Sequence, residues 1–370
     1  MSIRFATGIL FSLLLSTTVA ATPIGGLYVF GDSLSDPGNN AVLFGSTASP
    51  PFNVTLPSEI TSDAFVPTYP YAASYQYSNG NVWAYQFATM LGLPAQMAGP
   101  VLRGGLGANY AFGGATTGPL NNMGVPSLLT QTADFITSLG ATPAPSDALY
   151  VVAGGDNNAR ATLTAIAGGA DPTATIVSTS AQFAADIGAI VDALQAKGAE
   201  RIVVWDVADL VLAPAIAANG PAAASLATTL ALSMNDALGL RLVSETGVDI
   251  FGLFGLLTAV NADPGAYGLT NATAAGGAIP GADVSTFLCW DGIHPTAAGH
   301  SILATSLYAF TTSVPEIDPA GSGCVIALVF GCVGWMERRR RASPSPRERW
   351  PSGGARSTEG AAPERRALTA

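Results

Sequence analysis

Two short stretches hold residues able to act together as a nucleophile and its base. The first is Gly31-Asp32-Ser33-Leu34-Ser35-Asp36-Pro37-Gly38-Asn39, directly after the apolar run Leu27-Tyr28-Val29-Phe30. A serine just past a buried strand and close to glycine can sit on a sharp turn with its hydroxyl free. A helix starting there would offer unpaired backbone N–H groups to a developing oxyanion. This is not the Gly-x-Ser-x-Gly elbow, and taken alone the tetrapeptide favours Ser33 as a helix cap. The second stretch is Cys289-Trp290-Asp291-Gly292-Ile293-His294-Pro295. An aspartate three residues before a histidine can accept its ring Nδ1–H. That fixes the tautomer and leaves Nε2 to take a serine proton. The chain has only two histidines, and in so histidine-poor a sequence this spacing favours catalysis over a surface-loop role. The other, His300, reads as structural, bonding a backbone carbonyl or facing solvent. Ser35 is the rival nucleophile.

These residues need a frame to bring them together. Leu27–Phe30, Ala148–Val152, Arg201–Trp205 and Val248–Phe251 are apolar runs bounded by Gly, Asp or Pro. Such runs suit strands buried on both faces, as in a parallel sheet. Between them, Ala181 to Ala196, Ala222 to Leu242 and Thr296 to Phe310 follow the helical period. Strand–helix alternation predicts an α/β fold, a three-layer α/β/α sandwich with a central parallel sheet. Its site belongs at the carboxyl ends of the strands. Residues 41–76, rich in Pro, Tyr, Ser and Thr, form a segment long enough to suggest a functional loop.

Four blocks in order make the pattern specific: Gly31-Asp32-Ser33-Leu34; Tyr77-Ser78-Asn79-Gly80-Asn81-Val82-Trp83; Gly155-Asp156-Asn157-Asn158; and Asp291-Gly292-Ile293-His294-Pro295. Together they resemble the GDSL lipase/esterase family, also called SGNH hydrolases, over about Leu27 to Phe310. Gly107-Ala108-Asn109-Tyr110-Ala111 is similar to a further family segment. The resemblance implies a flavodoxin-like SGNH fold and ester hydrolysis without a metal or other cofactor. It implies Ser33 as nucleophile, His294 as general base and then acid, and Asp291 as its orienting partner. The Ser33 N–H, the Gly80 N–H and the Asn157 side-chain amide would hold the oxyanion. Asn158 departs from the family pattern, which has Asp there, and puts the rigidity of that loop in question. Asp156 offers a different register, but Gly-x-Asn aligns on Asn157. As plain structure, Asn157 reads as a turn residue and Gly80 as a positive-φ position.

Composition sets the outer limits. The chain has 370 residues and a net charge of −10. It is long enough for one large or two ordinary domains, and the acidic balance argues against nucleic-acid binding through phosphates. Three cysteines and two histidines, with no CxxC or HExxH, give no metal site and no disulfide framework. A metal-dependent phosphoesterase is disfavoured on the same ground. Residues 1–336 hold six basic and 21 acidic residues, whereas nine of the fifteen basic residues follow position 337. The N-terminus reads as a secretory signal over 1–21: Arg4, an apolar stretch, then Thr18-Val19-Ala20-Ala21. Near the other end, Val314-Pro315-Glu316-Ile317-Asp318-Pro319, an uncharged run over 320–336 and Arg338 to Arg341 resemble a PEP-CTERM sorting signal over 314–341. That resemblance implies export in a Gram-negative bacterium to the cell surface or beyond, with an exosortase-like processing enzyme as partner. A plain C-terminal membrane anchor is the alternative. Residues 342–370 read as a disordered basic tail, which leaves 22–313 as the hydrolase domain. The substrate expected is a lipid, a short acyl ester or an acetylated glycan. The opposing readings are an inactive surface-displayed binding protein of the same fold and a deacetylase of surface polysaccharide.

Overall fold

The computed structural model describes residues 23–44, 65–67, 75–97, 107–118 and 124–313. The expected signal at 1–21, the sorting signal at 314–341, the tail at 342–370 and most of the 41–76 segment lie outside them. The chain opens with β1 (Gly26–Gly31), α1 (Asn39–Leu43), α2 (Trp83–Met90), α3 (Pro94–Met97) and α4 (Leu128–Leu139). It continues through β2 (Ala148–Ala153), α5 (Asp156–Ala167), α6 (Pro172–Lys197) and β3 (Arg201–Trp205). Then come α7 (Pro214–Ala217), α8 (Pro221–Leu242), β4 (Val248–Phe251) and α9 (Leu253–Ala262). The last elements are β5 (Asn271–Ala275), β6 (Phe287–Cys289) and α10 (Ala297–Ser313).

The four apolar runs are all strands, parallel, in the order β1-β2-β3-β4. With this sequential order, right-handed crossovers put their helices on one face of the sheet. Alternate residues of each strand serve the two faces. Phe30, Tyr150, Val152, Ile202 and Val204 join Phe135 of α4, Phe183 and Ile187 of α6, and Leu230 and Leu238 of α8 in one core. Leu27, Val29, Leu149, Val151, Val203 and Trp205 join Trp83 and Phe87 of α2 and Leu303 and Leu307 of α10 in the other. Each large apolar side chain fully buried this way contributes about 1.5–3 kcal/mol. The result is the expected three-layer α/β/α sandwich.

The helices have identifiable ends. Asp171 caps α6, its side chain accepting the Ala174 N–H at 2.7 Å; Pro172 opens the helix, and Gly198 closes it at φ 105°. The helix starts nine residues before the periodic stretch at 181–196, because its first two turns are polar and bury only Ile176 and Ser180. By length and composition α6 could cross a membrane, but Phe183, Ile187, Ile190, Val191 and Leu194 face the core.

β1 is an edge strand, yet its outer edge is closed. Val29 N–H donates to Ala108 O, and Tyr110 N–H and Phe112 N–H donate to Val29 O and Gly31 O. Two glutamines finish the job. Gln96 Oε1 accepts the Leu27 N–H at 2.7 Å, and Gln131 bonds both the Gly31 N–H (2.8 Å) and the Gly31 carbonyl (2.9 Å). The strand leading to Ser33 therefore has no loose end.

The small parallel pair β5–β6 was not legible in the sequence. Asn271-Ala272-Thr273-Ala274-Ala275 has no apolar run, and only its packing under Leu269, Val260 and Leu288 makes it a strand. β6 leads directly into the Asp291–His294 loop. A bridge between Cys289 and Pro295 and the bond from Trp290 N–H to His294 O (2.8 Å) close that loop tightly.

Candidate active site

Ser33 lies two residues beyond β1, in a turn closed by the Ser35 N–H on Asp32 O at 3.1 Å. No helix starts at this serine, as the sequence had allowed. The next helix begins at Asn39, so Ser33 is not a cap, and any oxyanion donor here is a turn amide. The hydroxyl meets His294: Oγ lies 2.9 Å from Nε2. On the other side of the ring, Nδ1 lies 2.7 Å from Asp291 Oδ2. Asp291 Oδ1 accepts the N–H groups of Ile293 (2.7 Å) and His294 (2.6 Å). All three residues are buried, with Asp291 wholly so and Ser33 the most open at 7%. Burial alone would raise the Asp291 carboxyl; the His294 charge, its ring hydrogen bond and these two amides together hold it below the ordinary value.

Ser35 is inaccessible. Its Oγ accepts the Trp83 Nε1–H at 3.0 Å, and its carbonyl accepts the Asn109 side chain at 2.7 Å. His300 departs from expectation. It is fully buried on α10, and neither ring nitrogen has a hydrogen bond. It lies on the helix face that also carries Leu303, Ala304 and Leu307, so neither a carbonyl nor solvent is within reach. Burial and the His294 charge push it down to about 3, so it is neutral.

The second block docks on the loop of the fourth. Ser78 Oγ donates to Pro295 O (2.9 Å), Asn79 Oδ1 accepts the Ala297 N–H (2.7 Å), and the Tyr77 ring packs 5.2 Å from the imidazole. Gly80 has no positive φ. Glycine is needed there because a Cβ would stand 2.8 Å from Ala297 Cβ. Among the described residues the backbone N–H groups of Ser33 and Gly80 donate to no protein acceptor.

Asn157 lies in the first turn of α5, after Gly155 at φ 125°. A Cβ at Gly155 would also stand 2.6 Å from the Phe183 ring. The Arg160 guanidinium, one turn on, donates to Asn157 Oδ1 at 3.0 Å, and this orients the amide. Nδ2 then donates to Ala115 O at 2.9 Å and reaches Asp32 Oδ2 only at 3.4 Å. That long contact leaves one N–H free for a better acceptor. Asp156, beside Asn157, accepts the Ala208 N–H at 3.2 Å. Burial, then the neighbouring Asp156, pushes the Asp32 carboxyl up to about 8, and burial pushes Asp156 up to about 6.

Asn158 is tied to a neighbouring segment by two hydrogen bonds. Its Oδ1 accepts the Thr117 N–H and its Nδ2 donates to Thr117 Oγ1, both at 3.0 Å; Thr117 Oγ1 then donates to Asp186 Oδ2 at 2.9 Å. Sequence reasoning missed Arg160, Tyr77, Asp186 and Asp36. Asp36 ties the first block together by accepting the N–H groups of Gly38, Asn39, Asn40 and Gly113. Arg160 left a signal, one helical turn after Asn157, and Asp36 and Tyr77 stand inside the first two motif stretches.

A family model described as GDSL-like Lipase/Acylhydrolase matches residues 27–307. The chain belongs to this family. The match runs from β1 into α10 and takes in all four blocks. No curated protein matches the chain. Membership makes this an acylhydrolase-type protein, a hydrolase of esters, and the family's central parallel sheet is the one described above.

Proposed function

We propose that the protein is a serine carboxylesterase in which Ser33 attacks, His294 moves the proton and Asp291 orients the ring. The observation that carries this reading is the unbroken line Ser33 Oγ–His294 Nε2 at 2.9 Å and His294 Nδ1–Asp291 Oδ2 at 2.7 Å. Asp291 holds Nδ1 protonated, so Nε2 is the free base. Ser33 Oγ bonds to the ester carbonyl carbon as its proton passes to Nε2. The carbonyl oxygen takes the negative charge and is met by the Ser33 N–H, the Gly80 N–H and Asn157 Nδ2. Collapse expels the alcohol, which takes the proton from His294. Water, deprotonated by the same nitrogen, then releases the acid and restores Ser33. Unpaired amides at Ser33 and Gly80 and the weakly engaged Asn157 Nδ2 support this use of the pocket. Without such a role, free N–H groups at a buried site would be a cost.

The test is hydrolysis of p-nitrophenyl acetate and butyrate without added metal, by the full chain and by Ser33→Ala. Turnover should be present in the first and absent in the second. A folded protein with no turnover on any ester would favour the surface-displayed binding protein instead.

We further propose export of a catalytic body over 22–313, with 1–21 as the signal and 314–341 as a sorting segment that an exosortase-like enzyme cuts. The order of apolar run and arginine block supports this. Mass spectrometry of surface protein from the native host tests it. A species still carrying Arg338 to Arg341 would mean a simple anchor.

A further inference from the structure

Beside Ser33 lies a cavity of about 80 Å³. Its wall is largely apolar: Leu34, Leu210, Leu212, Ile216, Leu257 and Leu288. These come from the turn after β1, the segment between β3 and α7, α7 itself, α9 and β6, so several separate elements converge to keep one pocket greasy. Ser33 and Asn157 open onto it, whereas His294 does not line it. Three of the polar residues along it make hydrogen bonds within the protein. Asp156 accepts the Ala208 N–H, Asp209 accepts from Thr228 Oγ1 at 2.8 and 3.1 Å, and Arg160 donates to Asn157.

Resting on the esterase reading, we infer that this pocket takes the acyl half of the ester, an aliphatic chain of limited length. The side assignment follows from the chemistry. The leaving oxygen must face His294 Nε2, which takes no part in the pocket, while the acyl carbon stays bonded to Ser33 and next to Asn157. The length follows from the volume. The cavity is about half the roughly 150 Å³ that holds a benzene ring. Only a short acyl chain therefore fits inside it, and longer ones must leave the pocket. An acetyl group on a polysaccharide would leave most of the pocket unfilled.

The experiment uses the full chain and two ester series below their critical micelle concentrations. One varies the acyl group from acetyl to palmitoyl on p-nitrophenol. The other keeps butyrate and lengthens the alcohol. In the acyl series kcat/KM should rise roughly fourfold per buried methylene until the pocket is full, then fall by dodecanoyl. The alcohol series should show no such optimum. Leu212 is half-buried in the wall. Leu212→Trp should cut the hexanoyl-to-acetyl ratio about tenfold, and Leu212→Ala should move the fall to longer chains. If Leu212→Trp does not fold, the unaltered protein's two series still decide. A best activity on acetyl, undiminished turnover of palmitoyl, or an optimum in the alcohol series would each overturn the pocket assignment. Those outcomes leave Ser33-dependent hydrolysis standing. Loss of the esterase reading itself would show as no Ser33-dependent turnover of any ester.

Discussion

At the residue scale, the site is a set of hydrogen bonds with few alternatives. Ser33 and Ser35 differ by two positions, but only Ser33 meets a base; Ser35 is spent on the Trp83 indole. Ser33→Ala should abolish ester turnover with little change in thermal stability. Loss of turnover in Ser35→Ala while Ser33→Ala stays active would reverse the assignment. Asn157→Ala removes one of the proposed oxyanion donors and should lower kcat by about 10²–10³ with little change in KM, as steady-state kinetics can read. Asn158 makes a sharper case. An aspartate there would face Thr117 Oγ1, whose single proton already goes to Asp186, and would put two carboxylates on one hydroxyl. Asn158→Asp should therefore lower both stability and kcat, and Asp186→Asn added to it should restore them. A double variant no better than the single one would refute the coupling. The Asp291–His294 spacing and the block order were legible because the chemistry needs those types at those places. Asp186 was not legible, since it reaches the site across some 30 residues of sequence, through a threonine whose role only packing creates.

At the element scale, the strands were readable because burial on both faces leaves continuous apolar runs, and all four match the structure. Helix starts were harder to read, and α6 shows why. Its polar first turns carry no period, and the boundary is set by the Asp171 cap and Pro172. The edge of β1 was unreadable, because an irregular segment and two glutamine side chains, not a strand, satisfy it. This gives a direct prediction. Gln131→Ala leaves the Gly31 N–H without its partner and takes one of two donors from the Gly31 carbonyl, two residues before Ser33. Each such buried loss costs about 1–3 kcal/mol, so chemical denaturation should show a clear fall in stability, with kcat reduced as well. Unchanged stability would mean that the segment 107–113 holds β1 by itself.

For the molecule as a whole, buried acids shape the response to pH. Burial, above any charge, pushes Asp32 up to about 8 and Asp36, Asp156 and Asp206 up to about 6. A carboxyl raised in the folded state favours folding fully below its unfolded value of about 4 and loses that contribution as pH climbs through its folded value. Asp291 has the opposite sign, and its contribution is lost only in more acid solution. His300 also has the opposite sign, because burial holds it neutral and its contribution is complete only above its unfolded value of about 6.5. Thermal stability should therefore decline from about pH 7 to pH 9, and Asp32→Asn should flatten that slope. Melting curves of both proteins across this range check it; a midpoint that rises toward pH 9 would contradict it.

The central claim is that Ser33 is the nucleophile, and covalent capture tests it most directly. A fluorophosphonate forms a stable phosphonyl ester only with a serine activated by its base. Incubated with the full chain, it should add one phosphonyl group by intact mass, and peptide mapping should find that group on Ser33. Ser33→Ala and His294→Ala should stay unlabelled. A single adduct on any other serine, or none on the folded protein, would contradict the account.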